Sequence, residues 1–328
     1  MPSDQRASAS ALMQAVAYYR FGEPDVMACY GVDCPVPGAS ELLIEVGACS
    51  VNPIDWKVRR GDFHRAGDAA FPRIPGCDVA GTVLEVGRRV SDFRPGDRVF
   101  AVLDPMRGGA YAQYCAVPET AAARLPPELP LAHGAAVPTG ALTAYQALVR
   151  HGQVSAGKRV LINGAAGGVG TFAVQIARLQ GAEVVGVSSA SAAELVARLG
   201  ADRVLDYERE DFTAGGLTGF DIVFDAVGLS DFKRCSRLLN SHGLYISTQP
   251  RPSGLLANVS ASLRPGPREI GMTTRANGAD LAVLAHWLDV DLIRPVVDRL
   301  YPLCEAADAH RYSEGGHVHG KIVLEVGA

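Results

Sequence analysis

Apolar positions along this chain follow two rhythms. Up to about residue 130 they form short runs cut by Gly and Pro. Leu42–Val46, Val79–Val86 and Arg98–Val102 read as strands, and Arg94-Pro95-Gly96-Asp97 and Met106-Arg107-Gly108-Gly109 between them have turn chemistry. Many short strands without long helices predict a β-barrel-type domain. The strand pattern begins near Met13, and the Ser/Ala-rich residues 1–12 before it read as a disordered extension. From about residue 135 the period changes. Strands are predicted at 159–164, 183–188, 203–206, 220–225, 243–248 and 269–273, with helices at 168–180, 191–199 and 230–240. This alternation predicts a doubly wound parallel sheet. Past about 290 short strands return, ending in Gly320–Val326. The chain therefore reads as α/β: a nucleotide-type domain over 135–289, inserted in a β-rich domain made of 13–134 and 290–328.

The junction between the first predicted strand and helix of the second region carries the clearest chemistry. Arg159–Asn163 runs into Gly164-Ala165-Ala166-Gly167-Gly168-Val169-Gly170 and then into the helical pattern Thr171–Leu179. Glycine lets the backbone approach phosphates, and the free amides and dipole of a helix N-terminus favour their charge. The match to G-x-G-x-x-G has Ala165 at its first position. Alone it fits a tight turn as well; the strand before and the βα units after it point to a dinucleotide. A site selective for NAD usually ends its second strand in Asp or Glu, which binds the ribose 2′-OH. Here that strand ends in Ser188 and Ser189, two hydroxyls with no carboxylate, which favours NADPH over NADH. Glu194 reads as the third residue of a capping box with Ser191 rather than as that carboxylate.

Composition narrows the classes. With 328 residues, 48% hydrophobic and 20% charged, the chain has room for two moderate domains. A net charge of −4 gives no electrostatic case for nucleic acid or an anionic membrane surface, and no apolar run has the length of a bilayer span. No secretory signal pattern opens the sequence. Seven dispersed cysteines, with no Cys-x-x-Cys pair, fit buried thiols in a reducing cytoplasm. His317 and His319 have the spacing of a metal pair but no third ligand nearby, so a place near the cofactor phosphate or plain exposure suits them better.

Together these motifs resemble the medium-chain dehydrogenase/reductase superfamily, and within it the zinc-free quinone oxidoreductase (zeta-crystallin-like) branch. The matching segments are Val51-Asn52-Pro53-Ile54-Asp55-Trp56-Lys57-Val58-Arg59-Arg60-Gly61, Ile74–Val83, Gly96–Val99, Gly109–Tyr114, Thr143-Ala144-Tyr145, the glycine turn and Gly320–Leu324. They keep their order over roughly 14–328. The resemblance implies a Rossmann domain inserted in a GroES-like catalytic domain. It also implies a dimer, built by extending the nucleotide-domain sheet.

The resemblance assigns candidate residues. The catalytic zinc ligands of the superfamily's alcohol dehydrogenases fall at Asn52, Cys77 and Thr139, a set ill-suited to zinc, and the four-cysteine structural zinc lobe is absent. Their relay hydroxyl falls at Ile54. Asn52 then faces the nicotinamide, unless it serves only as an Asx turn before Pro53. Asp55 braces the loop after it. Lys57 stands where many alcohol dehydrogenases carry a relay histidine, and is a proton donor or ribose contact, or a solvated surface lysine. Thr143 matches a threonine that packs on the nicotinamide, or is simply a helix residue. Tyr207 matches a tyrosine near the adenosine phosphate, although Ala192 stands where relatives that use NADPH often have a lysine. Val227 and Gly228 match the strand end beneath the ribose. Trp56 and Phe63 line the substrate pocket or pack as core, and Phe63 replaces the tyrosine proton donor of related enoyl reductases.

The expected activity is zinc-independent hydride transfer from NADPH to a conjugated acceptor, a quinone or α,β-unsaturated carbonyl. Without a Lewis acid, charge delivered to such an acceptor is taken up by its own oxygen. An enoyl reductase tailoring a polyketide or similar product shares every motif. A weakly catalytic nucleotide-binding sensor or RNA-binding protein is the reading from another class.

Overall fold

The computed structural model describes residues 12–64, 70–214, 216–249 and 266–327. The proposed disordered extension falls almost wholly outside these residues, as do parts of 62–72 and 249–267, the loops on which the shape of the substrate pocket is expected to depend. The N-terminal half opens with an antiparallel hairpin of β1 (Leu12–Tyr18) and β2 (Met27–Asp33). There follow β3 (Glu41–Val51), α1 (Pro53–Arg60), β4 (Asp78–Val86), β5 (Arg98–Val102), β6 (Tyr114–Pro118) and β7 (Ala122–Arg124). Then come helices α2 (Leu131–Ala135) and α3 (Pro138–Tyr145).

The second half alternates as its pattern predicts. Its elements are β8 (Arg159–Asn163), α4 (Gly170–Leu179), β9 (Glu183–Ser188), α5 (Ala193–Arg198), β10 (Arg203–Asp206), β11 (Phe220–Asp225), α6 (Phe232–Cys235), β12 (Leu239–Ser247) and β13 (Arg268–Gly271). All six strands pair in parallel in the order β10-β9-β8-β11-β12-β13. That order reverses at β8, the switch point where Rossmann sheets bind dinucleotides. Both faces of β8 are covered. Val160 and Ile162 join the core shared with α3 and α4, while Leu161 joins Val185, Phe220 and Tyr245 on the other side. Such two-sided burial explains the unbroken apolar runs of these strands.

The chain then adds α7 (Gly278–Asp289), β14 (Val297–Pro302), α8 (Ala306–Glu314) and β15 (Lys321–Glu325). β15 returns to the first half and lies antiparallel to β3, with Ile322 opposite Val51. It joins a seven-stranded sheet ordered β14-β15-β3-β4-β5-β7, with β6 also on β3.

Three expectations are corrected. The helix expected over 230–240 is only Phe232–Cys235, started by the Asp231 carboxylate on the Arg234 amide. Residues from Leu239 onward are strand, with the Asn240 side chain bonded to Gly219 O and Asp221 Oδ1. The capping box at Ser191–Glu194 does not form. A 3-10 turn over Ala190–Ala192 delays the helix to Ala193, so Ser191 meets the Ser189 hydroxyl and Glu194 pairs with Arg198 in solvent. The cysteines are not all free thiols. Cys29 of β2 and Cys304, just before α8, form a disulfide across 275 residues, because the β14–α8 segment folds back beside the N-terminal hairpin. Cys49, Cys77, Cys115 and Cys235 are free and buried, and Cys34 is free and half-buried.

Candidate functional site

The glycine turn is built almost wholly from backbone. Gly164 N–H and Ala165 N–H both donate to Val187 O, at 3.1 and 2.9 Å, which ties the turn to the end of β9. Gly164 has φ +80°, and a Cβ there would lie 2.2 Å from Val227 Cγ2. At Gly170 a Cβ would fall 2.0 Å from Gly164 O, so α4 can start here only with glycine. The amides of Val169 and Gly170 have no backbone acceptor among the described residues. First-turn donors of this kind, beside a close backbone, fit a dinucleotide pyrophosphate.

The flanking candidates gather at the strand ends. Ser188 is buried and donates to Ser189 O at 3.1 Å, while Tyr207 is half exposed with its amide on Ser188 O. Asp206 stands opposite Ser188 in the register of β10 and β9, a carboxylate the search along β9 alone misses. It is turned into the loop that follows, accepting from Glu208 N–H and pairing with Arg209. Ala192 is buried. Val227 and Gly228 follow β11, in a turn organised by Asp225. That fully buried carboxylate accepts from Asn163 Nδ2, the amides of Val227, Gly228 and Ser230, and the Tyr245 hydroxyl. Burial and Asp225 push the Tyr245 phenol far up, which keeps it a donor.

The second part of the site is a buried polar cluster made of side chains. Asp78, the first residue of β4, is fully buried and holds five donor contacts. Ser50 Oγ (2.7 Å), Asn52 Nδ2 (2.9 Å) and Lys321 Nζ (3.1 Å) reach its Oδ2. Thr139 N (2.9 Å) and Thr139 Oγ1 (2.5 Å) reach its Oδ1. Lys321 Nζ also donates to Asn52 Oδ1 at 2.5 Å. An ammonium has no acceptor capacity, so this contact fixes the amide's orientation. Cys77 Sγ lies 3.5 Å from Asn52 Nδ2 and 3.5 Å from Thr139 Oγ1. Thr143 Oγ1 bonds Thr139 O and the Thr274 hydroxyl, both at 2.6 Å. The structure thus brings Asn52, Cys77, Thr139 and Thr143 together and adds Asp78, Lys321, Ser50 and Thr274.

This donor set does not fit zinc. Asn52, Cys77 and Thr139 are already bonded to one another or to Asp78, and the Lys321 ammonium lies among them. A divalent ion there would face a fixed positive charge and would find only one thiol, whose pKa burial pushes well up.

Helix α1 carries Asn52 as its N-cap, with Pro53 in its first turn and Gly61 in the left-handed conformation at its end. The Asn52 side chain joins the cluster and also faces the Asp55 amide, in a capping box at the start of α1. Asp55 completes that box, its Oδ2 accepting from Asn52 N–H at 2.7 Å. Its Oδ1 is buried with no partner among the described residues, and burial raises the carboxyl to about 7. The other end of α1 is held by Arg59, fully buried, which donates to Gly22 O, His310 Nδ1 and Glu314 Oε1. Because Arg59 only donates, His310 Nδ1 accepts, leaving Nε2–H for the Tyr111 oxygen at 3.0 Å. Burial and Arg59 together pull His310 down to about 3, so the ring is neutral.

The remaining candidates make no hydrogen bond to the cluster among the described residues. Trp56 Nε1 donates to Ser313 Oγ on α8 at 3.2 Å, and Lys57 and Arg60 lie over its ring. Lys57 is half-buried and Phe63 half exposed, so Phe63 is not core. His317 is exposed and His319 half-buried. Asp78 and Lys321 carry the signal that reading the sequence passed over. Each is a lone charge opening an apolar strand, and such residues are rarely buried unless paired.

Two family models match the chain, the alcohol dehydrogenase GroES-like domain over residues 38–127 and the zinc-binding dehydrogenase over residues 199–324. A chloroplastic quinone-oxidoreductase homolog of Spinacia oleracea is 33% identical over 327 residues, covering 97% of this chain and 99% of the relative. The chloroplastic NADPH-dependent alkenal/one oxidoreductase of Arabidopsis thaliana is 34% identical over 323 residues, covering 95% and 79%. The structure of the quinone oxidoreductase from Coxiella burnetii matches with a TM-score of 0.87 at 31% identity, over 96% of this chain and 100% of that one. With a Rossmann sheet and a GroES-like part both present, the chain belongs to the medium-chain dehydrogenase/reductase superfamily, in its quinone oxidoreductase branch.

Proposed function

We propose that this protein is a zinc-independent, NADPH-dependent reductase of conjugated acceptors, quinones or α,β-unsaturated carbonyls. The observation that carries the reading is the closed, metal-unfriendly cluster of Asn52, Asp78, Thr139 and Lys321, tied to the glycine turn by the bond from Gly320 N–H to Ala166 O. The nicotinamide supplies hydride when bound. The glycine turn seats the pyrophosphate, Val227 and Gly228 lie under the ribose, and Ser188, Ser189 and Tyr207 receive the 2′-phosphate. Thr143 and Asn52 orient the nicotinamide and acceptor, and the acceptor's own oxygen takes the charge. Phe63 cannot donate a proton, so the proton comes from water or from Lys57, whose ammonium lies 5.5 Å from the centre of the Trp56 ring. Relatives named as quinone and NADPH-dependent alkenal/one oxidoreductases support this acceptor class and cofactor.

The residue division at 13–134 with 290–328 against 135–289, a homodimer and a cytoplasmic location belong to the same proposal. Among the described residues, no helix is long and apolar enough to cross a membrane. The test is stopped-flow oxidation of NADPH and NADH against small quinones, enones and enoyl thioesters. Turnover with metal-free protein, faster with NADPH, is expected. Silence across the panel favours a nucleotide sensor, and stereospecific saturation of bulky enones alone favours a tailoring enoyl reductase.

A further inference from the structure

We propose that Lys321 is a positioning residue of the reduction site: its ammonium balances the buried Asp78 carboxylate and fixes the Asn52 amide. The proposal rests on the reductase reading above. Asp78 is fully buried and Lys321 almost so, and they meet at 3.1 Å with Lys321 the cation paired to that carboxylate. Hydride delivery places negative charge on the acceptor. An unbalanced carboxylate 2.9 Å from the Asn52 amide nitrogen would oppose that charge in a medium of low dielectric. The ammonium removes the opposition without a metal.

Two geometric details place Lys321 between the halves of the site. Its side-chain stem lies against the glycine turn, where a Cβ at Gly168 would meet Lys321 Cδ at 2.7 Å. Its neighbour Gly320 is bridged to Gly167. Lys321 also settles what Asn52 can offer. Both Nδ2 hydrogens are directed at Asp78 and Cys77, so Oδ1, already held by the ammonium, is the only polar atom of Asn52 left to meet a ligand.

The test compares Lys321→Met, which keeps the stem, Lys321→Arg, which keeps the charge, and the neutral pair Lys321→Met/Asp78→Asn. NADPH affinity by fluorescence titration, kcat, KM and melting temperature are read for each. Lys321→Met is expected to lower kcat by about 10–100-fold, with KM and NADPH affinity changed far less. Lys321→Arg and the neutral pair are expected to recover most of kcat. A merely structural lysine would move the melting temperature and leave kcat intact in whatever folds. Wild-type kcat in folded Lys321→Met, or a neutral pair that folds but is as slow as Lys321→Met, overturns the proposal. Should Lys321→Met not fold, the neutral pair and Lys321→Arg decide it. Failure of the wild-type enzyme with every acceptor would instead defeat the reductase reading itself.

Discussion

The glycine turn and the polar cluster lie side by side but are made in opposite ways. The turn is local. Seven consecutive residues build it, its hydrogen bonds are backbone to backbone, and its specificity is steric, a matter of where a Cβ cannot fit. The cluster is assembled from Ser50, Asn52, Asp78, Thr139 and Lys321, spread over most of the chain, and its specificity is electrostatic. A turn of the first kind tolerates almost any surroundings. In a cluster of the second kind, removing one charge leaves its partner buried without compensation, so the cost is felt by the whole set.

That contrast can be broken most directly at Asp78. Asp78→Ala leaves the Lys321 ammonium buried and unpaired, and is expected to cost about 3–5 kcal/mol in a denaturant melt. If the cost is small, the cluster is not a unit. Asp55 sharpens the comparison through pH. Burial holds its carboxyl at about 7 against 3.8 in the unfolded chain, so the folded protein binds an extra proton between those values. Its contribution to stability is present below the unfolded value and is lost as pH rises toward 7. In Asp55→Asn the difference in stability between pH 4 and pH 8 is expected to shrink by roughly 2–4 kcal/mol, since the amide does not titrate. An unchanged pH dependence would show that water reaches Asp55 Oδ1. Gly170→Ala tests the steric half. Overpacking against Gly164 O is expected to cost about 1–3 kcal/mol and to weaken NADPH binding while leaving the Asp78 network in place. NADPH affinity by titration checks this, and equal damage to both halves would mean that they are not independent.

The same contrast explains what was legible in the sequence. The glycine turn and the strands 203–206 and 220–225 could be read because strand, turn and helix signals are short-range and repeat. Asn52, Cys77, Thr139 and Thr143 were reached through resemblance, and the structure does gather them. Asp78 and Lys321 were passed over because nothing local pairs them; their contact depends on β15 returning to β3. The Cys29–Cys304 bridge was missed for the same reason, since spacing cannot show that the two ends meet. The failed capping box at Ser191 has another origin. Its residue types were right, but a tighter turn claimed the first positions of the helix.

The distance along the chain between Asn52 and Lys321, 269 residues, bears on the order in which the molecule becomes itself. The parallel sheet closes through neighbouring units, whereas β15 must find β3 across nearly the whole polypeptide, and such closures are entropically dear and slow. On refolding, the capacity to hold nucleotide should therefore return before the capacity to turn over. During that interval the proposed site would have the wall that the nucleotide domain supplies but not the floor that β15 brings.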